Sequence, residues 1–166
     1  MIRMKLLLMM IFVVTQVFGE QSSLVQLRVL FKQSANSRVA CKQLIVACDE
    51  TTNQNISTVL GYKGCANMML AKFGFNPISK FNAFNYGKSL LEQAIHADSK
   101  NIELIFLRYV IQLNSPSLLN YHDDISADKF AILLALPNIK DHGLSTFIKN
   151  YLLQSTNLTA KEKTAL

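Results

Sequence analysis

Apolar residues recur at three- and four-residue spacing along most of the chain, the signature of helices that each bury one face. Leu24, Leu27, Leu30 and Phe31 predict a first helix over about residues 24–34. Asn36 and Ser37 interrupt it, and Ser37 reads as the N-cap of a second helix with Val39, Leu44, Ile45 and Cys48 on or near its inner side. The polar stretch Asp49 to Asn55 reads as a loop. A third helix from about Ile56 to Phe73 places Tyr62, Ala66, Met69, Leu70 and Phe73 on one side, with Gly74 set to end it in the left-handed conformation. Asn76-Pro77 then pairs a cap residue with a proline whose missing N–H costs nothing in a first turn. The fourth helix carries Phe81, Phe84, Leu91 and Ile95 as a stripe. Gly87 inside it costs about 1 kcal/mol relative to Ala, which makes sense where another helix comes close.

After the turn Asp98 to Asn101, the segment Ile102 to Leu113 is apolar almost all round, as in a helix packed between neighbours. Ser115-Pro116 opens a short helical piece through Tyr121. Ser126 is the expected cap of a sixth helix, whose apolar run Phe130 to Leu136 stops at Pro137. Leu144, Phe147, Ile148, Tyr151 and Leu152 mark the last helix, about Leu144 to Leu153. Residues 155–166 are polar and expected to fray. Strand-like alternation is nowhere sustained, so the predicted fold class is all-α.

The N-terminus has a different pattern. Arg3 and Lys5 precede the unbroken apolar run Leu6 to Val14, and Val17-Phe18-Gly19 ends on small or slim residues. Nine apolar residues span only about 14 Å as a helix, against about 30 Å of hydrocarbon. Residues 1–19 therefore read as a secretory signal peptide cut before Glu20, leaving a single all-α domain over 20–154 and the tail 155–166. The expected location is exported, periplasmic or secreted, with no stable membrane span after signal removal. The mature chain has 15 Lys and Arg against 11 Asp and Glu, a net charge of +4. The charges are scattered singly rather than gathered into the basic face of a nucleic-acid binder, so no nucleic-acid partner is expected. With half its residues apolar and 17% charged, the chain has enough apolar surface for a core and is not a disordered one.

Export puts Cys41, Cys48 and Cys65 in an oxidising compartment. Cys41 and Cys48 are seven apart in a helical stretch, about 10.5 Å between Cα atoms, too far for a disulfide. Pairing of Cys65 with either stays open, beside the alternative of three buried thiols.

From Gly87 the pattern Gly-Lys-Ser-Leu-Leu-Glu-Gln-Ala-Ile leads through Asp98-Ser99-Lys100-Asn101 and Glu103 into an apolar helix. This resembles the second helix, turn and next first helix of a tetratricopeptide repeat. Gly87 and Ala94 would stand at its small packing positions and Leu91 at a large one, while Ser99 replaces the family's usual Pro. A second copy 34 residues away is not evident. The wider run from Asn76-Pro77 through Gly87, Leu91-Glu92, Phe106-Leu107-Arg108 and Tyr121 to Asp128-Lys129 is similar to a group of small exported bacterial proteins with no assigned activity. The resemblance implies stacked helical hairpins in a right-handed array. A compact helical bundle is the alternative that the same periodicity allows.

Candidate chemistry is sparse. His122-Asp123-Asp124 is the densest group of possible metal ligands, but adjacent loop residues seldom converge on one ion, and Asp123, Asp124 and Asp128 suit the positive end of the sixth helix. His96 with Asp98, and Asp141 with His142, sit at turns as capping groups. No nucleophile elbow, Gly-rich phosphate loop or Cys-x-x-Cys pair is present. No catalytic, metal or cofactor-binding residue is therefore assigned, and no cofactor is expected. Arg108 is the only charge between Leu104 and Leu113, and a charge drawn into a core demands a partner. Glu92, Asp124 or Asp128 is expected to pair with it, as an ion pair that fixes helix register.

The leading expectation is an exported, non-catalytic helical scaffold that binds a protein or peptide in a groove lined by Tyr62, Asn67, Tyr109 and Gln112. The alternatives are a small metal-dependent hydrolase centred on His122 and a carrier of an apolar ligand, for which the Phe-rich fourth helix and Met68-Met69 would supply an adaptable cavity.

Overall fold

The computed structural model describes residues 24–51, 55–164 and 166. The expected signal peptide, residues 1–19, lies outside the described residues. Within them the chain forms eight α-helices and two short 3-10 turns, with no strand. The helices are α1 over 24–34, α2 Arg38–Glu50, α3 Ile56–Ala71, α4 Pro77–Ala97, α5 Ile102–Asn114, α6 Ile125–Ala135, α7 His142–Gln154 and α8 Ala160–Thr164. The turns are Ser117–Leu119 and Leu136–Asn138.

Local chemistry starts most of these helices. The Ser37 hydroxyl accepts from the Ala40 amide at 3.1 Å. The Asn76 side chain accepts from Ile78 and Ser79, with Pro77 in the first turn. Asn101 does the same for Glu103 and Leu104, and Asp141 for Leu144. Each bond satisfies an amide that has no partner inside its own helix.

Several local expectations need correction, among them Val39, which is exposed rather than on the inner side of α2, and Phe81, which is exposed on the α4 stripe. Gly74 is not left-handed, and no described glycine has a positive φ. The Phe73 and Gly74 amides bond back to Leu70 and Ala71, so α3 ends by tightening rather than reversing. Ser126 does not cap α6, because that helix begins at Ile125 with Asp124 in the cap position. The Asp124 carboxylate points to Gln112 and Arg108 instead of to the helix amides. The described residues of the 155–166 tail do not simply fray. Leu158 is buried, and Thr159 and Glu162 exchange hydrogen bonds as a capping box that starts α8. Glu162 also pairs with Lys129 of α6 at 3.0 Å.

The core centres on α3 and α5. α3 is buried over most of its surface, largely through small residues with Val59, Tyr62 and Met68, leaves a half-buried strip through Leu60, Lys63, Asn67 and Leu70, and makes its most extensive contact with α4. The two backbones touch where Gly64 faces Gly87. A Cβ on Gly64 would lie 2.6 Å from the Gly87 carbonyl oxygen and 2.8 Å from the Leu91 nitrogen. Only glycine permits this crossing, which accounts for Gly87 inside a helix. An aromatic chain links the odd-numbered helices. Phe31 of α1 meets Tyr62 of α3 and Phe147 of α7 edge-on, and Phe106 of α5 meets Phe147 and Tyr151. α1 and α7, far apart in sequence, therefore touch across the inner side of the helical layer.

Candidate functional site

Two buried ionic clusters and one groove are the features with chemical character. The first cluster gathers the N-terminal parts of α1, α5 and α7 with the middle of α3. Arg28 makes a bidentate pair with Glu103 at 2.8 and 2.9 Å and reaches Asp141 at 2.8 Å. The Tyr62 hydroxyl donates to Glu103 at 2.6 Å. The Arg28 and Glu103 side chains are each 6% exposed. Burial opposes the Arg28 charge, but Glu103 and then Asp141 more than offset it and raise its pKa. Burial works to raise Asp141, yet the Leu144 amide and Arg28 outweigh it and hold the carboxyl below its ordinary value. Such a cluster fixes which helices meet and at what register rather than adding much net stability.

The second cluster surrounds Arg108 and contains all three carboxylates considered for it. Asp128 takes the bidentate place at 2.7 and 2.8 Å, while Glu92 and Asp124 stand at 3.4 and 3.5 Å. Tyr121 donates to Glu92, and Gln112 donates to Asp124 at 3.1 Å. Burial pushes the Asp128 carboxyl up against the pull of Arg108, and the neighbouring Asp124 and Glu92 add to that rise. Both clusters are internally paired, with Glu92, Asp124 and Asp141 at their partly exposed edges.

Other expected chemistry is dispersed. His122 is bonded to the Ser115 carbonyl oxygen at 3.0 Å, while His96 and His142 are exposed. Among the described residues no group of three or more His, Cys, Asp or Glu gathers to hold a metal. Cys41, Cys48 and Cys65 are free and buried. Burial pushes the Cys48 thiol up to about 12 and Cys65 well above its ordinary value, which keeps them protonated and poorly nucleophilic.

The expected groove residues do not form a groove. Tyr62, Tyr109 and Gln112 are fully buried, and Asn67 returns its amide to the Lys63 carbonyl oxygen at 2.8 Å. The reason is the closure of α1 against α7, which covers the inner face on which Tyr62 lies. Two of the polar tips that suggested exposure have partners inside, Tyr62 to Glu103 and the Gln112 amide nitrogen to Asp124, while the Tyr109 hydroxyl and the Gln112 amide oxygen are buried without a hydrogen bond among the described residues.

An open groove of about 870 Å³ lies elsewhere, at the end of the molecule where α1, α3, α5 and α7 terminate. Its floor includes Met68, Phe84, Ile111 and Phe147. One wall is the start of α4. That helix has 21 residues, about 31 Å, against about 24 Å for the 16 residues of α3. Its first turns have no buried residue before Phe84, so they stand over the groove rather than against α3. Phe81 there is 52% exposed, and two loop residues at the mouth, Phe75 and Leu118, are 96% and 91% exposed. Contiguous exposed apolar side chains of this kind mark interaction surfaces on water-soluble domains.

No family model, no curated protein and no solved structure matches the chain.

No periodicity marked this groove as a unit, because its residues come from five helices and three loops. The signals that were readable were Phe75 beside Asn76-Pro77 and Leu118 after Pro116, large apolar residues in turns where burial is not expected. Arg28 was also readable. It lies four residues after Leu24 and three before Phe31, within an apolar stripe. No helix among the described residues is long and apolar enough to cross a membrane.

Proposed function

We propose that the protein is an exported, non-catalytic helical scaffold that holds a protein or peptide partner in the groove between the ends of α1, α3, α5 and α7. The observation that carries this reading is the mouth of the groove, where Phe75, Phe81 and Leu118 stand in water around an apolar floor. A partner that covers them removes that surface from solvent, at roughly 25 cal/mol per Å². The groove opens outward and is not a closed void, which favours a polypeptide over the apolar-ligand carrier. The hydrolase reading centred on His122 has no converging groups to support it.

The stacked-hairpin arrangement belongs to the same proposal. The N-terminal parts of α1, α5 and α7 meet at Arg28, while their C-terminal parts meet at the groove, so the odd-numbered helices share one direction. The even-numbered helices then return between them, as in a tetratricopeptide-like array. Here α1 also meets α7, so the inner face is filled and the end of the array is left to bind.

The test is photo-cross-linking in the protein's own compartment, with the reactive group at Phe81 or, as a control, at exposed Val46 on α2. A polypeptide adduct from position 81 alone is expected. Adducts to lipid only, or equal adducts from both positions, would overturn the reading. Export is tested by the mass of the mature chain, which should begin at Glu20. Retention of residues 1–19 contradicts it.

A further inference from the structure

We infer that the groove receives an amphipathic segment of a partner polypeptide that carries carboxylates beside its large apolar side chains. The inference rests on the proposed polypeptide-docking reading and adds the chemistry of the occupant.

Charge is the first argument. Lys32, Lys72 and Lys80 line the groove, and no Asp or Glu does. Lys32 and Lys72 are exposed and Lys80 half-buried, so unlike the buried Arg28 and Arg108, which pair with Glu103 and Asp128, they are open to a charge brought from outside. Lys72 donates to the Ala35 carbonyl oxygen, and none of the three groove lysines has an ion pair among the described residues. Helix dipoles account for Lys32 and Lys72, which stand at the negative C-terminal ends of α1 and α3. They do not account for Lys80. It lies at the positive end of α4, four residues after the Asn76 cap, where a cation is disfavoured. A carboxylate brought by a partner would compensate it.

Hydrogen-bonding capacity is the second argument. Asn36, Asn150 and Gln154 line the same groove, and their side chains make no hydrogen bond among the described residues. Each amide offers both donors and an acceptor, which suits a peptide backbone or polar side chains and is wasted on an alkyl chain. The floor has Met68 and Met69, side chains that adapt to differently shaped apolar anchors. The whole matches an amphipathic segment laid into a groove, with acidic residues flanking its apolar face.

The experiment titrates the purified protein with two synthetic amphipathic helices of about five turns. They share a Leu and Phe face and carry flanking Glu in one and Lys in the other. Vesicles of anionic phospholipid form a third arm. The Glu peptide is expected to bind about tenfold or more tightly than the Lys peptide, the order that three exposed ion pairs supply, and to weaken with added salt. Lys80→Glu should lower the preference, and the triple reversal of Lys32, Lys72 and Lys80 should invert it. Should the triple variant fail to fold, the two peptides on the unaltered protein still decide. Equal, salt-independent binding of both peptides overturns the acidic occupant and leaves the polypeptide reading standing. Binding of vesicles with neither peptide overturns both.

Discussion

The same helices end very differently at the two poles of the molecule. At one pole Arg28, Glu103, Tyr62 and Asp141 tie α1, α5, α3 and α7 together through short, nearly dry hydrogen bonds. At the other, the ends of these helices leave an apolar groove in which Lys32, Lys72 and Lys80 have no ion pair among the described residues. The contrast teaches that polar groups alone do not mark a functional site. The paired pole specifies assembly. The pole with spare hydrogen-bonding and charge capacity is the one proposed to bind a partner.

The largest effect expected from breaking this contrast is at the paired pole. Arg28→Met should cost about 3–5 kcal/mol in chemical denaturation, because Glu103 is left buried without its partner. Arg108→Met should cost less, about 2–3 kcal/mol. Two of its carboxylates, Glu92 and Asp124, are over a third exposed and can turn to water, although Asp128 cannot. A reversed order would mean that Arg108, and not Arg28, organises the core.

Next is the glycine crossing. A Cβ at position 87 would lie 2.8 Å from the Met68 nitrogen and also against the Gly64 carbonyl oxygen, contacts that backbone cannot yield. Gly87→Ala should cost about 1–3 kcal/mol by overpacking, despite the better helix propensity of Ala. A stability gain, read as a raised Tm, would refute the close approach.

Acid should loosen the paired pole. The folded Asp141 is held below its ordinary value of 3.8, so its contribution is present above that pH and fades as pH falls through the folded value. Asp128 has the opposite sign. Its raised folded pKa favours the folded state at low pH, and that contribution is lost as pH rises through the folded value. The Asp141 contribution is removed in Asp141→Asn, so the urea midpoint of that variant should fall less in acid than that of the unaltered protein. Glu162 is lowered from 4.5 to about 2 by the Thr159 amide first and Lys129 second. Amide protection around α8 should accordingly be lost between about pH 4.5 and 2.

The smallest effect on stability is expected at the groove. Phe81→Ser and Leu118→Ser remove exposed side chains and should shift stability by less than about 0.5 kcal/mol, while partner binding drops. A large destabilisation would mean that these residues pack in the core after all.

Much of the fold was legible along the chain because its signals are local. Ser37, Asn76-Pro77 and Asn101 announce helix starts within four residues of the amides they satisfy. The Thr159-x-x-Glu162 box is just as local, though a helix of five residues leaves no periodicity to draw attention to it. Arg108 was legible because it interrupts an apolar run, which already demands a carboxylate. Tyr62 and Tyr109 misled because a residue with a polar tip fits a groove or a core equally well until its partner is known. The groove itself was not legible. Its floor joins Phe31, Met68, Ile111 and Phe147 from four helices, and only the overhang of α4 and the closure of α1 on α7 bring them together with an open side.

Hydrogen exchange of the protein with and without the Glu-bearing amphipathic peptide tests the division between the poles most directly. Added protection is predicted around Lys72 to Phe84 and around Asn114 to Leu119, with no change near Arg28 and Glu103. Protection that instead concentrates around Arg28, or that is absent at a saturating concentration of peptide, would contradict the assignment of the groove as the binding end.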